Sequence, residues 1–409
     1  MESGPTGGWP YAVGVAGGGD GHRGFARAAG PVVAVALCAW SAYFFIAQTR
    51  TWPVAFLDSG IYREAAKAFL SGADVYSGKF GPPGLPFTYP PFALLVFVPL
   101  ALLPSALASV LAFGLSTAAL VACVRWSQDY ATGGRAGSWW LTLALSAAGS
   151  VLVEPVRTTL GLGQVNLLLL ALVLGLDARG GSRTGWGAGI ASAVKVTPAL
   201  LVVAQAVRGE MRAFWRGVGA FALATGLAAL VAPAATRHYF TTLLWDSTRP
   251  GNLHYIGNQS LRGAWERHLP GAASIGWAVT CAAVLLGGAW CVRRHRHDPW
   301  FSLTLAAVAA LLVSPVSWSH HWVWVIPCLA VGARRGWRSP PGWTSLLMLA
   351  ATVAEAVLWT QPVPPLWSQD LFVVAGIAFL AAAALCVPDI ARLPQTVDHV
   401  GQSPARTGD

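Results

Sequence analysis

Charge is scarce in this sequence. Only 11% of its 409 residues are Asp, Glu, Lys or Arg, and just 17 are acidic, whereas an ordinary soluble protein is about a quarter charged. With 55% hydrophobic residues and apolar runs of spanning length recurring along the chain, the composition points to a polytopic α-helical membrane protein. The motifs of soluble enzymes are missing too. There is no Walker A sequence, no HExxH, no GxSxG and no internal repeat of solenoid length. Gly185, Gly187 and Gly189 alternate, but no strand precedes them and no βαβ unit surrounds them. They read as helix-packing glycines rather than a dinucleotide fingerprint. The cysteines (Cys38, Cys123, Cys281, Cys291, Cys328, Cys386) fall in apolar runs. None has metal-ligand spacing, so they read as small core residues.

What charge there is carries information. The net charge of +10 comes from Lys and Arg scattered over short loops, which is an orientation signal rather than a nucleic-acid patch. Tryptophan is abundant, at 20 residues, with many near run ends, as in an interfacial belt. Residues 1–30 are Gly-rich and polar and are expected to be a disordered cytoplasmic tail. Residues 31–387 form the membrane domain, and 388–409 a second cytoplasmic tail. The first run lacks a convincing cleavage site and reads as a retained helix. The apolar runs are 31–48, 89–104, 105–124, 138–153, 164–177, 186–207, 214–232, 275–292, 301–314, 322–333, 342–360 and 370–387. This predicts an all-α protein of about 11–12 transmembrane or re-entrant helices.

Arginines cluster in the loops holding Arg125 and Arg135, Arg179 and Arg183, Arg208 to Arg216, Arg293 to Arg296, and Arg334 to Arg338. By the positive-inside rule these loops are cytoplasmic. Strict alternation of full spans cannot satisfy that. It becomes consistent if 89–104 and 105–124 together make one crossing, and if 186–207 enters and returns, folded at Lys195-Val196-Thr197-Pro198. A large first loop (51–88) and a long loop (233–274) then lie outside, with 154–163, 314–321 and 361–369.

These outer segments hold most of the unusual polar residues. Asp58 is isolated just past the first apolar run. After it Ile61, Ala65, Ala68 and Phe69 recur at helical spacing, while Tyr62, Arg63, Glu64 and Lys67 lie off that stripe. This predicts a short helix along a membrane surface. Asp58 suits a general base, or alternatively a helix cap. Lys195, inside an apolar run, suits an anion contact or a snorkelling helix end. Gln164 and Asn166 suit sugar hydroxyls or cross-helix hydrogen bonds. Asn258, Gln259 and Arg262 suit either an acceptor glycan or loop capping. His320 and His321 are expected to open a helix at the outer surface, where free N–H groups attract anions; the alternative is a pair of interfacial residues beside Trp318 and Trp322.

The segments FLDSGIYREAAKAFLSGADVYS, LPFTYPPFALLVFVPLALLP, GLGQVNLLLLAL, GAGIASAVKVTPALL, GNQSLRG and SPVSWSHHWVW occur in this order between 56 and 324. Together they resemble the actinobacterial polyprenol-phosphate-mannose-dependent α-1,2-mannosyltransferases, glycosyltransferase family 87, which have the GT-C membrane fold. The resemblance runs from about residue 31 to 387. It implies a polyprenyl-phosphate-mannose donor and a mannosylated glycolipid acceptor such as a phosphatidylinositol mannoside. It also implies a multi-pass protein of the plasma membrane with its active site on the outer face. Asp58 stands where the family has its catalytic carboxylate. A histidine of the SPVSWSHHWVW segment, His321 in preference to His320, is implied at the active site. Lys195 is expected at the donor phosphate. Tyr62, Arg63, Tyr89, Gln164, Asn166, Asn258, Gln259 and Arg262 are expected around the sugars.

The chemistry agrees. One carboxylate suffices as base for inverting transfer. A phosphate leaving group needs cations rather than a general acid, and a monophosphate makes a metal dispensable, so no metal or cofactor is expected. The alternative is a transporter or flippase of a lipid-linked sugar. That would call for inverted repeats and paired interrupted helices, and no repeat is visible.

Overall fold

The computed structural model describes residues 19–135, 137–358 and 368–387. The apolar runs are all helical there. The first is α1 (Gly19–Thr51), which begins inside the segment expected to be a tail; residues 1–18 and 388–409 lie outside the described residues. The first loop carries α2 (Leu57–Leu70) and a small hairpin, β1 (Lys79–Phe80) antiparallel to β2 (Leu85–Pro86), with Phe80 opposite Leu85. Then follow α3 (Pro91–Ala101), α4 (Ser105–Ala131), α5 (Trp139–Leu152), α6 (Glu154–Leu162) and α7 (Asn166–Val173), the last prolonged by a π turn to Ala178. Next come α8 (Trp186–Val194), α9 (Ala199–Arg208), α10 (Met211–Val231), α11 (Pro233–Thr241) and α12 (Leu261–His268). The chain closes with α13 (Ala273–Arg294), α14 (Pro299–Val313), α15 (Val325–Arg335), α16 (Pro340–Leu358) and α17 (Leu371–Leu385).

Among the described residues, 4 helices are long and apolar enough to cross a membrane: Gly30–Thr51, Ser105–Ala131, Met211–Val231 and Pro270–Arg294. The bent pair α5 and α6 makes up to 5. The other apolar helices are shorter, and the reason lies at the centre of the bundle. In α14 every residue from Trp300 to Leu312 is buried. A helix apolar on all sides is stable only when surrounded, and α9, α13, α15 and α17 pack around this one. At 11 residues, α3 spans about half the hydrocarbon thickness. It packs along α2.

The 186–207 segment doubles back. A Cβ at Gly217 of α10 would lie 2.9 Å from a Val202 methyl on α9 and 3.1 Å from the Gly185 carbonyl at the start of α8. A straight helix would hold 185 and 202 roughly 25 Å apart; here both touch one point. Lys195, extended at φ −147 and ψ 125, is the first residue of the bend. The alternate glycines make the close approach to α10 possible. A Cβ at Gly189 would lie 2.4 Å from the Gly217 carbonyl. Asp177 secures the start of α8 by accepting from the backbone N–H groups of Gly185, Gly187 and Ala188 at 2.7, 3.2 and 2.6 Å.

The segment 154–163, expected on the outer side, carries α6, turned 82° from α5, with Pro155 in its first turn, a position that suits proline's missing N–H.

The arginine-bearing loops gather at one end of the bundle. Arg334 donates to the Tyr130 carbonyl, Arg335 pairs with Asp298, Arg293 donates to the Val207 carbonyl, and Arg208 reaches the Arg296 carbonyl. From Asp298 at that end, α14 runs to Val313 and Ser314, which line a large cavity at the other.

Candidate active site

The cavity measures about 940 Å³ and collects segments far apart in sequence: 52–62, 85–90, 158–164, 195–200, 239–257 and 310–321. Asp58 is placed in it by an unusual entry to α2. Phe56 adopts the left-handed conformation, φ 57, and its N–H donates to the Gly161 carbonyl at 2.7 Å. The first turn of α2 then lies against the end of α6. There a Cβ at Gly163, itself at φ +69, would fall 2.5 Å from the Ser59 hydroxyl. Asp58 therefore sits deep in the protein while remaining accessible from the cavity. Burial is the largest influence on its carboxyl and pushes its pKa up to about 6; a hydrogen bond from Gln164 and the charge of Lys195 pull the other way.

Gln164 is oriented by two phenols. Its Oε1 lies 2.8 Å from the Tyr62 hydroxyl and 2.9 Å from that of Tyr89, and the hydroxyls are 2.7 Å apart. With the amide oxygen committed as acceptor, the NH₂ is the group left for Asp58, and it can only donate. The cluster thus favours the ionised base. Tyr62 was expected off the apolar stripe of α2, yet it is 1% exposed and stacks on Phe97, ring centroids 4.2 Å apart. The reason is that α2 packs against both α3 and α4, so it buries a second face.

The bend after α8 brings Lys195 Nζ to 2.9 Å from both Asn166 Oδ1 and His321 Nε2, and 5.7 Å from the Tyr89 ring centre. A charged ammonium donates to both, which leaves the His321 ring proton on Nδ1. Asn166 Nδ2 and the Thr159 hydroxyl each donate to the His320 carbonyl at 3.0 Å. The histidines do not open an α-helix, as the sequence suggested. They lie on a six-residue 3-10 turn, Ser319–Trp324, before α15, because the Trp322 indole is buried and donates to the Gln259 carbonyl. The cationic group beside them is Lys195 rather than a helix N-terminus. The histidine rings cross at 88°. His321 meets Lys195, while His320 Nε2 is buried without a hydrogen-bond partner among the described residues. Behind them Glu154 accepts from Thr158 at 2.7 Å and Ser319 at 3.1 Å, joining α6 to this turn.

Four residues expected at the sugars are held elsewhere. Arg63 Nε donates to the Leu103 carbonyl. Arg262 pairs with Glu266 at 2.6 Å and bonds Ser274. Asn258 spends its amide on the Leu253 and Pro315 carbonyls and the Ser317 N–H, and Gln259 on Ile256, Gln369 and Phe372 backbone groups. These last two staple the 250s to the histidine turn, and their hydrogen-bonding capacity is used up. Conversely, Thr158, Tyr239, Asp246, Arg249 and Trp318 line the cavity without having been singled out as site residues. Only Trp318, inside the SPVSWSHHWVW segment, carried a signal. Among the described residues, no group of three His, Cys, Asp or Glu side chains could hold a metal ion.

The fold defines a polytopic helical membrane protein, and its cavity brings Asp58 together with a lysine–histidine pair. The model of glycosyltransferase family 87 matches residues 87–315. A *Mycobacterium tuberculosis* protein named as a polyprenol-phosphate-mannose-dependent α-(1-2)-phosphatidylinositol pentamannoside mannosyltransferase is 36% identical over 72% of this chain and 72% of its own. A second protein from that organism, a polyprenol-phosphate-mannose-dependent α-(1-2)-phosphatidylinositol mannoside mannosyltransferase, is 31% identical over 80% of this chain and 85% of its own. One with the latter name from *Mycolicibacterium smegmatis* is 30% identical over 85% and 86%. No solved structure matches. The chain belongs to glycosyltransferase family 87 and is a membrane glycosyltransferase.

Proposed function

We propose that this protein transfers mannose, with inversion, from polyprenyl-phosphate-mannose to a mannosylated glycolipid of the phosphatidylinositol mannoside type. The product carries a new α-1,2 linkage, and the reaction takes place at the outer face of the plasma membrane. The observation that carries this reading is one cavity lined by Asp58 together with the Lys195–His321 pair. Asp58 takes the proton of the acceptor hydroxyl as its oxygen attacks the anomeric carbon. The bond from that carbon to the phosphate oxygen breaks on the opposite face, and its electron pair leaves with the phosphate. Lys195 meets the growing negative charge, and His321 donates from its ring once the phosphate competes for the ammonium. Tyr62, Tyr89, Gln164 and Asn166 orient these groups and border the sugars.

The donor and acceptor classes are those in the relatives' names. The outer face is supported by charge: the arginine clusters of the short loops gather at the end away from the cavity, and such loops are retained in the cytoplasm. Radiolabelled polyprenyl-phosphate-mannose, a purified phosphatidylinositol mannoside and the protein in detergent should yield a larger glycolipid whose new mannose is released by an α-1,2-specific mannosidase. A donor left intact, with no labelled glycolipid formed, would favour a transporter and contradict this reading.

A further inference from the structure

The segment 242–257 runs along the cavity as a strap. It is tied to the first loop through Arg249, whose Nη2 donates to the Tyr76 carbonyl at 3.2 Å and the Phe87 carbonyl at 3.1 Å. Two charged side chains of the strap, Asp246 and Arg249, line the same cavity as Asp58. Holding the strap does not exhaust either. Asp246 Oδ1 accepts from the Thr248 N–H and hydroxyl at 3.0 and 2.6 Å, which fixes the carboxylate. The Arg249 backbone N–H and the Arg249 charge also act on this carboxylate. Arg249 commits Nη2 to the two carbonyls. Among the described residues the two side chains form no direct salt bridge, so each keeps polar capacity toward the cavity.

A fixed carboxylate and a fixed guanidinium, separated by a gap, suit neighbouring hydroxyls of a sugar. One hydroxyl donates to the carboxylate while the next accepts from the guanidinium. Trp318, packed against Gly251 and edge-on to Tyr255, adds an apolar wall nearby. Position decides which sugar. Asp58 lies deep, whereas Asp246 is exposed at the rim. An acceptor whose reacting hydroxyl reaches Asp58 must lead its remaining sugars out past the rim.

We propose that Asp246 and Arg249 form a subsite for a non-reacting sugar of the acceptor glycan, and that this subsite makes the enzyme prefer long acceptors. The proposal rests on the mannosyl-transfer reading above. The test compares initial rates with two acceptors: a phosphatidylinositol mannoside bearing several mannoses, and octyl α-mannoside, which is too short to fill both positions. Asp246→Ala should raise KM for the long acceptor about 10-fold, as loss of a hydrogen bond to a charged group does. Its kcat, the donor KM and the rate with octyl mannoside should not move. Arg249→Lys keeps the charge but loses the planar fork, and should act in the same direction. Equal changes with both acceptors, or none with either, would overturn the subsite. If the unaltered protein transfers mannose to neither acceptor, the mannosyl-transfer reading falls and the subsite with it. If it transfers to the long acceptor and Asp246→Ala matches it, only the subsite falls.

Discussion

At the scale of single residues, the site is a set of committed hydrogen bonds around one carboxylate. Two phenols hold the Gln164 oxygen, so its amide faces Asp58 as a donor. With a carboxyl whose pKa is about 6, the sign of the pH dependence follows. The base works only when ionised, so on the acid side kcat/KM should fall about tenfold per pH unit below that value. Gln164→Leu removes a bond that favours the ionised form, so the acid limb of the profile should move to higher pH. A limb that stays in place would show that Asp58 is not the titrating base. Lys195→Gln should weaken donor use far more than acceptor use, and Lys195→Arg need not restore it. His321→Ala should lose donor turnover while remaining folded, and His320→Ala should be milder. The reverse order would exchange their roles.

Sequence reasoning worked best on these residues because a charge in a chain this apolar stands out. Asp58, Lys195, Gln164, Asn166 and the histidines all reach one cavity or its wall. It failed where polarity has another use. A buried loop backbone must be hydrogen-bonded, and Asn258 and Gln259 meet that need, which from sequence looks the same as sugar binding. Asp246 and Arg249 were illegible because the loop around them has no periodicity.

At the scale of elements, breaks matter more than helices. The bend between α8 and α9 was legible from charge bookkeeping alone, since Arg183 and Arg208 had to share a side. The 82° turn at Val153 was not, because α6 has too mixed a pattern to read as a helix. Nor was the 3-10 turn of the histidines, which a buried indole imposes. The α8–α10 contact is the most exposed to test. Gly189→Ala puts a methyl group within van der Waals overlap of the Gly217 backbone and should destabilise by about 1–3 kcal/mol. Thermal unfolding in detergent would measure this, and an unchanged midpoint would mean the helices do not meet there. By moving the bend, the same substitution should also lower activity.

At the scale of the whole molecule, the two ends of the bundle have different characters. Arginines bonded to carbonyls and to Asp298 close one end, and the cavity opens at the other. A cysteine at Ser77, beside the cavity, should react with an impermeant thiol reagent in whole cells, and one at Ser182 should not. The opposite pattern would invert the topology. In the proposed mechanism Lys195 supplies the cation the leaving phosphate needs, so activity should survive excess EDTA. Loss on chelation, with rescue by a divalent ion, would contradict that account.

The central claim is that Asp58 is the base of a mannosyl transfer. A single-turnover reaction of the purified protein with labelled polyprenyl-phosphate-mannose and excess phosphatidylinositol mannoside tests it most directly, run side by side with Asp58→Asn. That substitution keeps the shape and the Gln164 contact but removes the proton acceptor. The account predicts transfer by the unaltered protein and a loss of at least about 10²–10⁴-fold in the variant, with the variant folded and still binding donor. Transfer by Asp58→Asn at a rate near that of the unaltered protein would contradict it.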